Sequence, residues 1–288
     1  MDWTARRLRC REILAGDRCV FPASVFDPMS ARIAEDLDFE LSMLAGSVAS
    51  LTVLGAPDLA VLTLSELAEQ CYRIGRAGKL PLFVDADHGY GNALNVRRTI
   101  EELETAGVAA LTIEDTLLPA PFGDPDKVQL ISIAEGVGKM RAALEARQDS
   151  KLVICGRTSA VAVNGIEDAV ARARAYQAAG VDGMFFSGLK TRAQLDAIAS
   201  ALKVPLLLGA PGPELMDRDY LSSRGVRIAL QGHAPFMAAV RAVHDTLKAL
   251  KEGVKPGNLT GVAAADFVAR TSRDADYEAW TRDFLTSK

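Results

Sequence analysis

One junction recurs along this chain and limits what it can become. Three times a helical pattern ends at glycine, valine follows, and a short apolar run begins. Ala106-Gly107-Val108 leads into Leu111-Thr112-Ile113, Ala179-Gly180-Val181 into Met184-Phe185-Phe186, and Arg224-Gly225-Val226 into Arg227-Ile228-Ala229-Leu230. Glycine just past a helix accepts the left-handed backbone that closes the last turn, so each junction reads as a helix-to-strand connection. A second junction repeats as Lys79-Leu80-Pro81-Leu82-Phe83-Val84 and Lys203-Val204-Pro205-Leu206-Leu207-Leu208. With the runs Cys19 to Ala23, Leu41 to Ala45 and Leu152 to Cys155, these make eight strand candidates, each followed by a helical segment. Their apolar residues are continuous rather than alternating, as in strands covered on both faces, which predicts a parallel sheet. Eight β/α units in 288 residues predict an α/β fold closed as a (β/α)8 TIM barrel. No GxGxxG follows the first strand, which weighs against an open dinucleotide-binding sheet.

Between the strands the spacing is helical. Val96, Ile100 and Leu103 share a face behind Asn95 as the expected N-cap, and Thr63-Leu64-Ser65-Glu66 reads as a capping box. Two segments exceed a minimal barrel. Thr116 to Leu130, rich in Pro and Gly, is too long for an ordinary connection and is a candidate lid. Residues 254–288 are expected to form a C-terminal helical arm on a single barrel domain spanning 1–288. Its Phe267, Tyr277, Trp280 and Phe284 need a surface to cover them, either this subunit's or a neighbour's, so a swapped arm is expected.

Composition narrows the function. Hydrophobic residues at 49% and charged residues at 24% suit a soluble globular chain, and a net charge of −4 without a dense basic run excludes nucleic acid as an expected partner. The longest uncharged stretch, Leu41 to Pro57, is broken by Ser and Gly, so no membrane span is expected. Charges crowd the N-terminus, unlike a secretion signal, and the four cysteines are scattered. Both features point to a cytoplasmic protein with reduced thiols.

In a barrel the chemistry lies where strands end. Strand two ends in Gly46-Ser47, strand three in Asp85-Ala86-Asp87-His88-Gly89-Tyr90-Gly91, strand four in Glu114-Asp115, strand five in Gly156-Arg157, strand six in Ser187-Gly188, and strand eight in Gln231-Gly232-His233. Carboxylates crowded into one mouth repel each other unless a cation neutralises them. Oxygen donors without a Cys/His cluster favour Mg²⁺, with Mn²⁺ as the substitute. Because Mg²⁺ keeps waters, Asp85 is the expected direct ligand, with Asp87 and Glu114 acting through water. Arg157 suits bidentate grip on a substrate carboxylate; its alternative is an ion pair with Asp85 or Glu114. His233 can donate a hydrogen bond or a proton, His88 can orient Asp87 or the metal waters, and His244 sits in a helical pattern at the surface. Gly89 and Gly91 permit a sharp turn over the metal, while Gly46-Ser47 offers an N–H and a hydroxyl to an anion.

These segments, together with Val25-Phe26-Asp27-Pro28-Met29-Ser30-Ala31-Arg32, Leu62-Thr63-Leu64-Ser65-Glu66, Asn92 and Thr158, resemble the isocitrate lyase/phosphoenolpyruvate mutase superfamily over nearly the whole chain. The resemblance implies a barrel whose eighth helix is exchanged between subunits, a homotetramer built as a dimer of dimers, Mg²⁺, and α-oxocarboxylates handled through enolates. Within the superfamily the likeness is strongest to members that decarboxylate oxaloacetate. It rests on His88 after Asp87, on Leu117-Leu118-Pro119-Ala120 and on Gly232-His233-Ala234. That likeness implies Mg²⁺-dependent conversion of oxaloacetate to pyruvate and CO₂, with Asp85 on the metal and Ser47, Arg157 and His233 touching substrate. The lyase members carry a lid Cys that supplies a proton; here the loop reads Ala120-Pro121-Phe122-Gly123-Asp124-Pro125. Pro211 stands where related decarboxylases can present Tyr. The alternatives are a C–C lyase or hydrolase on a related dicarboxylate, a phosphonopyruvate mutase, or a non-catalytic oxo-acid-binding homologue.

Overall fold

The computed structural model describes residues 2–123 and 127–286. Eight strands run parallel in sequence order: β1 (Ala23–Ser24), β2 (Ser42–Leu44), β3 (Leu82–Asp85), β4 (Ala110–Glu114), β5 (Val153–Thr158), β6 (Gly183–Ser187), β7 (Leu206–Gly209) and β8 (Val226–Ala229). A parallel bridge between Val20 and Ile228 joins β8 to the chain entering β1, closing the expected barrel. The run Cys19 to Ala23 therefore divides its work: Val20 seals the ring, and the first strand proper begins only at Ala23.

Strand parity sorts the core into two layers. Met43, Phe83, Ala110, Val153, Cys155, Phe185, Leu207 and Ile228 fill the barrel interior, while Leu44, Val84, Leu111, Ile113, Ile154, Met184, Phe186 and Leu208 meet the outer helices. The recurring glycines take the expected left-handed backbone, with φ of 88° at Gly107, 104° at Gly180 and 76° at Gly225. Trp3 packs so tightly on Gly107 that a Cβ there would lie 2.6 Å from the indole.

The arginine-rich N-terminus has a structural use. The helix Trp3–Ala15 closes the barrel floor with Cys10 and Leu14. Buried Arg7 donates to the Val108 and Glu104 carbonyls and to Asp149, and Arg11 donates to the Lys151 and Leu152 carbonyls.

One expectation needs correction. The helix bearing Val96 and Ile100 begins earlier than expected: Asn92 is its N-cap, and Asn95 is the third helical residue, whose side chain accepts the Asn92 N–H. A short polar side chain serves either position, so spacing alone does not choose. Arg157 lies near the end of β5, as the strand reading places it. Thr116 and Leu130 pair as an antiparallel bridge, so the candidate lid springs from a two-stranded stem; its Asp124 and Pro125 lie outside the described residues. The Thr63–Glu66 capping box forms as expected.

Beyond β8 the helix Ala234–Lys251 buries none of its residues. The arm continues as Ala265–Ser272 and Asp274–Leu285, held to the helix Pro28–Asp36 by Arg32 donating to the Ser272 carbonyl and by an Arg273–Asp36 ion pair. Tyr277, Trp280 and Phe284 stay exposed. Among the described residues no helix is long and apolar enough to cross a membrane.

Candidate active site

The same parity that fills the barrel places the acids. Asp85 follows Phe83 by two residues, Glu114 follows Ala110 by four, and Arg157 follows Cys155 by two, so all three point inward above the last apolar layer. Asp115, one residue on, points outward to Arg172 at 3.1 Å and to the Tyr176 hydroxyl at 2.8 Å. The pair Glu114-Asp115 is thus split between mouth and outer wall.

Between the acids lies Arg157. It forms an ion pair with Asp85 through Nη1, and its Nε lies 3.0 Å from Glu114 Oε2 with the N–H not aimed at that oxygen. The ion pair named as the alternative role for Arg157 is therefore present in this structure, shared between two acids. Burial works against its charge, yet Asp85 and Glu114 outweigh that and raise its pKa. Its guanidinium carbon also sits 5.4 Å over the Phe185 ring.

The turn after β3 is bent as its glycines suggest, with φ of 77° at Gly89 and 144° at Gly91, but Asp87 and Tyr90 also take positive values of 45° and 61°. Non-glycine residues persist there only where surroundings hold them. Here Asp87 N–H donates to Asp85 Oδ1, Glu114 N–H donates to the Asp87 carbonyl, and buried Lys139 donates to the His88 carbonyl at 2.9 Å. Thr112 supports Asp85 from β4 at 3.4 Å. Gly46 opens the helix Gly46–Val53 against this turn, and a Cβ on it would lie 2.6 Å from Asp87 Oδ1. Ser47, half-buried, follows Gly46 in the first turn of the same helix. His233 begins the helix Ala234–Lys251, with Nδ1 3.0 Å from the Ser24 hydroxyl and its ring within reach of the Asp85 charge.

Charge in this mouth is out of balance. Burial and the charges of Asp85, Glu114 and Asp58 hold the Asp87 carboxyl well above the ordinary range, with Arg157 opposing. Burial likewise raises Glu114. Asp58, on the exposed loop after Gly46–Val53, is raised by partial loss of water around its carboxyl and then by Asp85, with Arg157 opposing. Asp85, Asp87 and Glu114 thus crowd one guanidinium, and their donor chemistry fits a hard dication. Among the described residues no three His, Cys, Asp or Glu side chains are grouped closely enough to hold an ion by themselves.

Sequence reasoning missed three residues here. Ser24 ends β1, the first of the strands, and parity along Ala23-Ser24 marks it. Lys139 falls on the buried face of the helix Ile133–Ala146 with Gly136, Met140 and Ala143, where a lysine is out of place. Asp58 carries no periodic signal. His88 has its ring buried and its Nδ1 unpartnered; burial, then Lys139, pulls its pKa down to about 4. His244 is on the surface beside Asp245, as expected.

A family model described as phosphoenolpyruvate phosphomutase matches residues 11–251. The chain belongs to this family. Phosphoenolpyruvate phosphomutase family members of known structure share the whole fold. One from Streptomyces platensis subsp. rosaceus superposes with a TM-score of 0.87 at 25% identity, covering 97% of this chain and 99% of that one. A phosphonopyruvate hydrolase crystallised with oxalate and Mg²⁺ gives a TM-score of 0.86 at 27% identity, covering 98% and 99%. Oxaloacetate decarboxylase of Bradyrhizobium sp. (strain ORS 278) is 58% identical over 285 residues, 99% of each chain.

Proposed function

We propose that this family member decarboxylates oxaloacetate to pyruvate and CO₂ through an enolate, assisted by Mg²⁺ or Mn²⁺. The observation that carries the reading is the acid cluster around Arg157, where Asp85 and Glu114 pair with one guanidinium and Asp87 is crowded against them. Full-length identity of 58% to an oxaloacetate decarboxylase supports the choice of substrate. Asp85 would hold the ion directly, with Asp87 and Glu114 binding its waters. Once bound, the dication supplies Lewis-acid withdrawal of negative charge from the ketoacid, worth several kcal/mol.

The chain's own groups do the rest. Arg157 and Ser47 grip the substrate carboxylates, and His233 orients the ketoacid or returns a proton to carbon. Loss of CO₂ leaves an electron pair on the carbon beside the ketone, so no side-chain acid is needed to start the reaction. That is why a loop reading Ala120-Pro121-Phe122-Gly123, without cysteine, suits decarboxylation better than a lyase reaction that ends in protonation by the lid. Pro211 offers no hydroxyl beyond the end of β7.

Incubation with oxaloacetate, 2-methylisocitrate, phosphonopyruvate and 3-methyloxaloacetate, with NMR detection of products, tests the reading. Pyruvate and CO₂ from oxaloacetate are expected. Oxalate and acetate, a transferred phosphoryl group, or binding without turnover would each replace it with one of the alternatives.

The proposed assembly is a homotetramer in which Ala234–Lys251 is exchanged between subunits. Met237, Val240, Val243, Leu247 and Leu250 leave one apolar face of that helix exposed. Beside its base an apolar groove of about 460 Å³ is lined by Phe26, Ile33, Leu37, Phe39 and Pro235. A partner's helix would cover both. Leu247→Asp is expected to lower the sedimentation mass toward the monomer, and a monomeric wild type at micromolar concentration would overturn the exchange. Four buried, unpaired cysteines support the cytoplasm as the proposed compartment.

A further inference from the structure

The seam where the barrel closes holds a contact that the proposed reaction does not by itself require. The Ser24 hydroxyl, at the end of β1, stands 3.0 Å from Nδ1 of His233, in the turn between β8 and the helix Ala234–Lys251, although the two residues are 209 positions apart. No other hydrogen bond engages the Ser24 side chain among the described residues. We infer that Ser24 is a positioning residue that holds His233 in the tautomer carrying its proton on Nε2. The inference rests on the proposed role of His233 at the substrate.

The argument is one of donors and acceptors. A serine hydroxyl can give or receive, and a neutral imidazole has one N–H and one lone pair. If Nδ1 held the proton and gave it to Ser24, the remaining lone pair, on Nε2, would stand in the field of Asp85, the acid whose charge reaches this ring. If Ser24 donates to Nδ1, Nε2 presents an N–H instead. The acidic mouth and an anionic ketoacid both favour the second arrangement, since a lone pair facing negative charge is repelled. Burial lowers the ring's pKa, with Asp85 opposing, which favours the neutral form. A neutral ring that gave up its only N–H would become an imidazolate. His233 therefore acts as a hydrogen-bond donor that orients an anionic substrate oxygen, not as the acid that protonates carbon. Ser24 itself touches no reacting atom.

Long-range ¹⁵N–¹H spectra of the full-length protein labelled at histidine test this directly. The chain has three histidines, and the His233 signals are identified by their loss in His233→Asn. Wild type is expected to show His233 protonated on Nε2. Ser24→Ala is expected to mix the tautomers and to lower kcat/KM for oxaloacetate roughly tenfold, as loss of one hydrogen bond allows. Ser24→Thr, which keeps the hydroxyl, should restore both. A wild-type proton on Nδ1, or a Ser24→Ala spectrum identical to wild type, would overturn the inference. If the spectra change as stated while wild type turns over no ketoacid, the Ser24–His233 assignment stands and the decarboxylase reading falls.

Discussion

Asp85→Ala is expected to cut metal-dependent turnover of oxaloacetate by about a thousandfold or more, the scale at which lost charge stabilisation costs an enzyme its rate. Asp85 is the inward-facing end of β3, held by Thr112 and by the Asp87 N–H, and it pairs with Arg157. The substitution removes the acid proposed to take the ion directly. It should not unfold the chain. One of several crowded like charges disappears, and Arg157 keeps Glu114 beside it, so the thermal midpoint is expected to stay within a few degrees of wild type or to rise. The variant and wild type are compared after chelation and addition of Mg²⁺, with CO₂ release as one readout and Mn²⁺ binding by electron paramagnetic resonance as the other. Turnover at the wild-type rate in that assay would end the metal assignment.

The second large effect concerns stability. Asp115 is fully buried on the outer side of β4, where Arg172 at 3.1 Å and the Tyr176 hydroxyl at 2.8 Å engage one of its oxygens. Arg172 also binds Asp168 at 2.7 Å and the Ile131 carbonyl at 2.8 Å, at the root of the Thr116–Leu130 excursion. Arg172→Met keeps most of the packing but leaves a buried carboxylate without its cation, which costs roughly 3–5 kcal/mol. The pH dependence has a definite sign. Burial already raises the Asp115 carboxyl above its ordinary range, while Tyr176, Arg172 and Thr158 pull it down. Without Arg172 the carboxyl rises further. A carboxyl that titrates higher in the fold than in the unfolded chain leaves the native state holding more protons, so stability declines as pH climbs through that interval. The deficit of Arg172→Met should therefore be smaller at pH 5 than at pH 8, and Asp115→Asn in the same chain should recover part of it. Urea unfolding at both pH values measures this. A deficit below about 1 kcal/mol, or one that grows on acidification, would contradict the account of the network.

Much of the site was legible because strands obey parity and helices end predictably. Gly107, Gly180 and Gly225 carry a conformation available to few other residues, so they announce helix ends without any knowledge of partners. Phe83-Val84-Asp85 and Cys155-Gly156-Arg157 place their last residues on the same face as the apolar one two positions earlier, which is why the acids and the arginine could be read as neighbours in one mouth. Asn95 shows the limit of this reasoning, since two asparagines three residues apart serve equally well as the start of a helix. Lys139 shows another. A long side chain on a helix face reads as solvated until the packing reveals that its ammonium ends on the His88 carbonyl.

The sequence alone determined the order of eight β/α units, the strand ends that meet at the mouth and the chemical kind of site they make, because propensity, capping and two-residue alternation act within a few positions. Only the tertiary structure decided that Arg157 is divided between Asp85 and Glu114, that Gly46 lies against Asp87, and that Ser24 meets His233. Those contacts depend on how far each strand is staggered against the next and on how the ring closes at Val20 and Ile228. That closure is set by the packing of the whole interior, which no short stretch of chain contains.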